Sequence, residues 1–173
     1  MKTCPMVGLT AAAGCAGGEE QEPAEAASAA AGEVVAVDDI DACTLLTADE
    51  IRSATGYDPG PGADPVADIS GAAPICAWPS ADGSVHQVVQ VLVAYATSDT
   101  YEEYLQAMAE QGVIEGLSRI EGPGRFTVLL AGANMAQAHG ERFMVQVMVE
   151  PAAGIDPVTA MTTLAGAALA RIE

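Results

Sequence analysis

The sequence is poor in positive charge and in aromatic residues. Lysine and arginine together number 6 against 24 aspartates and glutamates, which gives a formal net charge of -18. Nucleic-acid affinity comes from neutralising phosphates, so this balance argues against a nucleic-acid partner and against adhesion to an anionic membrane by charge alone. Because aromatic residues make up only 4% of the chain, the core must be built mainly from Val, Leu, Ile and Met. That is enough for one modest domain.

Membrane-spanning runs and catalytic motifs are also absent from the sequence. No segment approaches the ~18 apolar residues that a transmembrane helix needs. There is no Gly-x-Ser-x-Gly elbow, and the prolines in Gly60-Pro61-Gly62 and Gly122-Pro123-Gly124 remove an N–H that a phosphate-binding loop requires. We therefore predict a protein that is not an enzyme and has no cofactor. An extracytoplasmic hydrolase or metal-dependent enzyme with an unrecognised site is the alternative.

Residues 1–14 are typical of an export signal. A lysine, a short apolar run and small residues precede Cys15, which resembles a bacterial lipoprotein signal peptide with Ala12-Ala13-Gly14-Cys15 as its lipobox. In such proteins the chain is cut before the cysteine, whose sulfur then carries a diacylglycerol. The resemblance predicts lipidation of Cys15 and a lipid-anchored protein on the extracytoplasmic face of the cell membrane. A disordered, alanine-rich N-terminus with a chance cysteine is the alternative.

Residues 15–37 are predicted to be the acylated cysteine and a flexible acidic linker. The segment is rich in Ala, Gly, Glu and Pro and has no aromatic residue, so it cannot bury enough apolar surface to offset its loss of conformational entropy. As a random coil it would reach roughly 25 Å. Residues 38–173 are then predicted to form a single extracytoplasmic domain.

Capping signals predict three helices in this domain. Thr47-Ala-Asp-Glu50 is a capping box that opens a helix over about 48–55. A second box opens a helix over 98–112, and Asp156 followed by Pro157 begins the C-terminal helix, because proline loses nothing at the first helical position.

Strands are predicted between these helices. Within 75–95, two strands meet at Ala81-Asp82-Gly83, since a tight turn needs a positive φ and glycine supplies it. The second of these strands carries apolar residues on both sides, which predicts a central strand in a sheet covered on both faces. The element order predicts an α+β fold, an antiparallel sheet with packed helices. The other predicted strands are Val66–Ser70, Val113–Ile120, Phe126–Ala131, Ala133–Ala138 and Arg142–Glu150.

The cysteines predict a disulfide. Once the signal is removed and Cys15 is acylated, only Cys43 and Cys76 remain, and two thiols in an exported domain favour a bond between them. These cysteines with His86 and His139 could instead hold a metal, but their spacings match no compact zinc motif. We predict no metal site, with His86 on a strand and His139 in a bend as structural residues.

Three motifs together resemble a known family. They are Asp41-Ala-Cys43-Thr-Leu-Leu-Thr47-Ala-Asp-Glu50, then Ile75-Cys76-Ala-Trp78, then the Gly122-Pro-Gly124 turn with a Gly140-Glu-Arg142-Phe strand. They are similar to the short actinobacterial cell-envelope lipoproteins that carry a domain of unknown function. The resemblance covers about residues 38–173 and implies export, a lipid anchor, a disulfide between the matching cysteines and a compact, PsbP-like fold. It implies no reaction.

The functional hypothesis from the sequence is a non-enzymatic binding module. Its partner would be an envelope protein or a small apolar ligand, with the membrane reached through the acyl anchor. A purely structural envelope component is a further alternative. The methionines Met135, Met144 and Met148 could line an adaptable binding surface, but the favoured interpretation is that they fill the core under a helix.

Overall fold

One antiparallel sheet with three helices makes up the described part of the protein. The computed structural model describes residues 35–67, 71–96, 99–111 and 116–173. The strands there join in the order β1-β2-β6-β5-β4-β3, and the predicted α+β fold is confirmed. The strands are β1 (Ile75–Trp78), β2 (Val89–Tyr95), β3 (Leu117–Ile120), β4 (Phe126–Leu130), β5 (Met135–His139) and β6 (Phe143–Val149); the helices are α1 (Ala48–Thr55), α2 (Asp99–Glu110) and α3 (Pro157–Leu169).

Several predicted features lie outside the described residues. These are the signal, Cys15 and the linker up to residue 34, the cap residue Ser98, and the helix end at Gly112. Among the helices that are described, none has the length and apolar character needed to cross a membrane.

Local capping chemistry defines α1 and α3 as predicted. The Thr47 N–H donates to Glu50 Oε2 at 2.8 Å, and the Glu50 N–H donates to Thr47 Oγ1 at 3.3 Å. Gly56 caps the helix after Thr55 with a left-handed φ of 76°, a conformation that glycine adopts without a steric penalty. At the start of α3, the Thr159 N–H donates to Asp156 Oδ2 at 2.9 Å.

The main core lies between α3 and one face of the sheet, here called the covered face. Strand residues alternate between the two faces, and cross-strand partners share a face. Met161, Leu164 and Ala165 of α3 are at most 1% exposed, and α3 packs on β5 and β6. The buried sheet residues on the covered face are Cys76, Trp78, Val89, Val91, Val93, Thr127, Leu129, Ala136, Ala138, Phe143, Val145, Val147 and Val149.

The predicted disulfide is present. Cys43 lies in a 3-10 turn, Ala42–Thr44, and bonds to Cys76 of β1, with 5.0 Å between their Cα atoms. The Cys76 side chain is fully buried. Gly62 packs directly against this bond, because a Cβ at that position would lie 2.9 Å from Cys76 Sγ.

The predicted strand Val66–Ser70 is wrong at Val66 and Ala67, the two of its residues that the structure describes. Residues 65–67 form a turn, in which the Val66 N–H donates to Asp64 Oδ1 at 2.8 Å, and residues 68–70 are outside the described part. The segment that pairs with β1 comes earlier in the chain. Ala63 exchanges backbone hydrogen bonds of 3.0 and 2.9 Å with Ala77, and Pro59 bridges to Ser80.

The hairpin turn is at the predicted position, but its second strand starts later. Gly83 has φ 74°, and the Asp82 carboxylate accepts from the Ser84 N–H at 3.0 Å and from its hydroxyl at 2.7 Å. Such local side-chain bonds compete with strand pairing, so the ladder of β2 begins only at Val89. The prediction of His86 on a strand is therefore wrong, because this residue lies exposed in the β1–β2 connection.

The bend predicted over His139-Gly140-Glu141 is wrong at its first residue: residues 140–142 connect β5 to β6, but His139 belongs to β5. Residues Ala131–Ala133 form a 3-10 turn that ends at Asn134, with φ 47°. The turn delays the start of β5 to Met135, and the strand then continues through His139. His139 is consequently paired with Met144 inside the sheet.

Candidate functional site

The side of the sheet that faces away from α3 carries the candidate site. Its part on β1, β2, β6 and β5 is here called the open face. Cross-strand partners on this face are Met135 with Met148, and Gln137 with Gln146. The open face consists of the partly exposed residues on this side, Ile75, Ala77, Gln90, Leu92, Ala94, Met135, Gln137, Met144, Gln146 and Met148; His139 pairs with Met144 on the same side but is fully buried and is not counted in it.

Every side chain of the open face is partly exposed. The valines on the covered face of β2 are 0% exposed, whereas Gln90, Leu92 and Ala94 between them are only half-buried. The prediction that the sheet is covered on both sides is therefore wrong for this region. Helix α3 packs on the opposite face, which is why the two faces differ.

The favoured prediction for the methionines is wrong as well. Met135, Met144 and Met148 are half-buried on the open face, whereas Met161 on α3 is 1% exposed and fills the core. The structure thus matches the alternative in which these side chains line a surface. Methionine has flexible, polarizable side-chain atoms that can adapt to differently shaped apolar partners.

Glutamines run through the middle of the open face. The Gln137 Nε2 donates to Gln146 Oε1 at 3.0 Å, and Gln90 lies directly across from Met148. Apolar side chains therefore alternate with amide groups that can donate and accept hydrogen bonds. This mixture is suited to holding an apolar segment whose own backbone needs hydrogen-bond partners.

Helix α2 bounds this surface on the side of β3 and β4. Leu105 is 8% exposed and forms a small second core with Phe126 and Val128, which are 4% and 6% exposed. Leu117 packs against it. The same sheet face is thus closed over β4 and half-exposed over β5, β6 and β2.

His139 stands at the boundary between these two regions. Its ring is 0% exposed and stacks on Phe126, with 4.1 Å between the ring centroids and 8° between the planes. Burial lowers the pKa of His139 to about 4, and the positive charge of Arg125 acts in the same direction. The imidazole is neutral near pH 7, so it packs as an aromatic ring rather than acting as a proton donor poised near neutrality.

The residues weighed as a metal site are not brought together. Cys43 and Cys76 are consumed by their disulfide, His86 lies exposed in a connection, and His139 is buried in β5. Within residues 35–67, 71–96, 99–111 and 116–173, no group of three or more His, Cys, Asp or Glu side chains is arranged to hold a metal ion. Cys15, the predicted lipidation site, is outside these ranges.

Apart from the open face, a concave groove lies between α1 and α3. This groove has a volume of about 650 Å³ and is lined by Ser53 and Leu164 together with carboxylates. Those carboxylates already have structural roles, since Glu50 closes the cap of α1 and bonds to Arg171 at 2.8 Å, and Asp156 caps α3. The groove therefore offers a weaker case for function than the open face.

The family of the chain follows from its match to a family model. The model described as "Protein of unknown function (DUF3558)" matches residues 10–167. The chain belongs to this family. No curated protein and no solved structure matches the chain. Membership of DUF3558 agrees with the predicted resemblance to proteins with a domain of unknown function, while the actinobacterial origin and the PsbP-like fold stay predictions.

Sequence reasoning identified the methionines but not the glutamines beside them. The available signal was the alternation in β6, where Met144, Gln146 and Met148 must share one face. The remaining members come from β1, β2 and β5, and β5 is far from the other two in the chain. Only the register of the sheet shows that Gln90 and Gln137 belong to the same surface.

Proposed function

We propose that this chain is an exported lipoprotein, acylated on Cys15 at the extracytoplasmic face of the cell membrane, whose domain is a non-enzymatic binding module for another envelope protein. The lipobox-like residues before Cys15 support the anchor. The Cys43–Cys76 disulfide supports export, because such bonds persist in oxidising compartments and are rare in the cytosol.

The observation that carries the binding role is the open face. Its apolar side chains, including Leu92 and the three methionines, are half-buried and not packed under α3. Contiguous apolar patches that are partly exposed are often functional on folded domains. The surface is a wide sheet face rather than an enclosed cavity, which favours a protein segment over a small molecule.

The size of the open face indicates the strength of the contact. With strands about 4.8 Å apart and residues about 3.4 Å apart, the face measures roughly 15 to 20 Å in each direction, or about 300 Å². A stable interface buries about 800 Å² on each partner. We therefore expect a short apolar segment of the partner to bind here in a transient complex.

Site-specific crosslinking tests the binding role. A photo-crosslinking benzoylphenylalanine replaces Leu92 on the open face in one variant and the exposed Thr163 of α3 in the control. In cells, we expect the Leu92 position to give one adduct of defined mass and the Thr163 position to give none. Adding Met148→Glu should abolish the adduct without unfolding the domain, because it places a charge where the apolar segment is buried.

Three results would contradict the proposal. Equal adducts at both positions would mean non-specific contact, and a small apolar molecule found by native mass spectrometry would replace the protein partner with a ligand. Substrate turnover in a broad hydrolase screen, abolished by His86→Ala and unaffected by Leu92→Glu, would favour the enzyme alternative.

Intact mass tests the anchor separately. Protein recovered from membranes should begin at an acylated Cys15 and should show two alkylation sites only after reduction, those of Cys43 and Cys76. An unprocessed chain with free thiols would overturn both the lipid anchor and the export.

A further inference from the structure

Each methionine of the open face has a glutamine beside it. Met135 is two residues from Gln137, and Met144 and Met148 are each two residues from Gln146, so each pair lies on one face of its strand. All of these side chains are partly exposed. The methionine side chains of this surface are thus partly accessible to solvent, and each shares its strand face with a glutamine whose amide can donate a hydrogen bond.

We propose that the open face is a site of reversible methionine oxidation by peroxides, and that oxidation switches binding off while the domain stays folded. A sulfur lone pair attacks one peroxide oxygen, the S–O bond forms and the O–O bond breaks. The transferred oxygen loses its proton as it becomes the sulfoxide oxygen, and the departing oxygen takes up one proton and leaves as water, or as an alcohol from an organic peroxide. The sulfur is oxidised by two electrons and the peroxide is reduced by two. The modification site stands without the proposed function, but the effect on binding rests on it.

The surroundings of these methionines can accept the product. A sulfoxide oxygen is a hydrogen-bond acceptor, and on the open face it meets water or a glutamine N–H. The Gln137–Gln146 bond, 3.0 Å long, uses only one N–H of an amide group that has two. Met161, which is 1% exposed in the core, provides the internal contrast, because a sulfoxide there would bury a polar atom without water.

The same change should prevent the proposed contact. Oxidation converts a flexible apolar side chain into a polar, chiral one. A partner segment that packs on Met135, Met144 and Met148 would then have to bury three polar oxygens. Reduction by methionine sulfoxide reductases restores the thioethers, so the block on binding is reversible.

Hydrogen peroxide treatment of the domain, followed by peptide mass mapping, tests the modification. Met135, Met144 and Met148 should each be oxidised about tenfold faster than Met161, as their exposure requires. The melting temperature should stay unchanged while they are oxidised, and reductase treatment should remove the added oxygens. Oxidation of these three methionines at the rate of Met161, or unfolding of the domain as they react, would refute the proposed oxidation site.

A leucine variant tests the effect on binding. Met135→Leu, Met144→Leu and Met148→Leu together keep the face apolar but remove the sulfur atoms. Peroxide should abolish the Leu92-position adduct in the otherwise unsubstituted protein and leave it intact in the leucine variant. Equal loss of the adduct in both proteins would refute the proposal that methionine oxidation blocks binding. If no adduct forms before oxidation, the proposed function fails, and the mapping and melting data alone decide the modification site.

Discussion

Breaking the Cys43–Cys76 disulfide should lower the free energy of unfolding by about 4 kcal/mol. The bond spans a sequence separation of 33 residues. In the chain-entropy model, closing a loop of that length removes roughly 12 to 13 cal/mol/K from the unfolded chain, which is about 4 kcal/mol at 25 °C. Domains of this class have total stabilities of about 5 to 15 kcal/mol. The disulfide therefore accounts for a large part of the stability.

Urea unfolding with and without reductant measures this effect. Reduced protein should unfold at a lower urea concentration and melt roughly 10 to 20 °C earlier. The Cys43→Ala/Cys76→Ala variant is the control, and its unfolding should not change when reductant is added. Because Cys76 is fully buried, the difference between reduced protein and this variant isolates the packing lost with the sulfur atoms. Identical unfolding of the oxidised and reduced protein would refute the entropic argument.

Two further predictions concern His139 and the turn that packs on it. Burial of His139 and the charge of Arg125 lower its pKa to about 4. The neutral imidazole therefore contributes about 3 kcal/mol to the free energy of unfolding above pH ~6.5, and this contribution is lost as the pH falls toward 4. When urea unfolding is measured across this pH range, His139→Phe should remove the fall in the free energy of unfolding and His86→Gln should retain it. An equal fall in the unsubstituted protein and both variants would contradict the assignment of this pH dependence to His139. Gly124 and Gly83 have φ values of 78° and 74°, but a Cβ at Gly124 would lie 2.4 Å from the His139 carbonyl oxygen, whereas nothing lies within 4 Å at Gly83. Gly83→Ala should cost about 1 kcal/mol and Gly124→Ala at least ~3 kcal/mol in urea unfolding, and equal losses would show that the collision is relieved.

Short-range chemistry made α1, α3 and the Asp82–Gly83 turn predictable. The partners in the Thr47 capping box are three residues apart, so their hydrogen bonds depend on local sequence alone. The position of the methionines was not predictable in this way. The alternation around Met144 and Met148 shows that they share a face, but only the packing of α3 decides which face is covered.

Errors in the predicted strands have a similar origin. Strand limits depend on pairing with distant segments. The alternation of apolar and polar residues near His86 predicted a strand there, although the paired residues of β2 begin only at Val89. His139 was placed in a bend because it precedes Gly140, although its partner Met144 keeps it in the sheet. The anchor at Cys15 and the binding role stay predictions.

The segment that pairs with β1 affects how molecules of this protein can associate. An open sheet edge offers unpaired N–H and C=O groups to the strands of neighbouring molecules. Here Ala63 pairs with Ala77 along the edge of β1 and Pro59 bridges to Ser80 just after it, and prolines at positions 59, 61 and 65 carry no N–H for a further strand. At high local concentration, growth of a continuous intermolecular sheet is therefore blocked from this side.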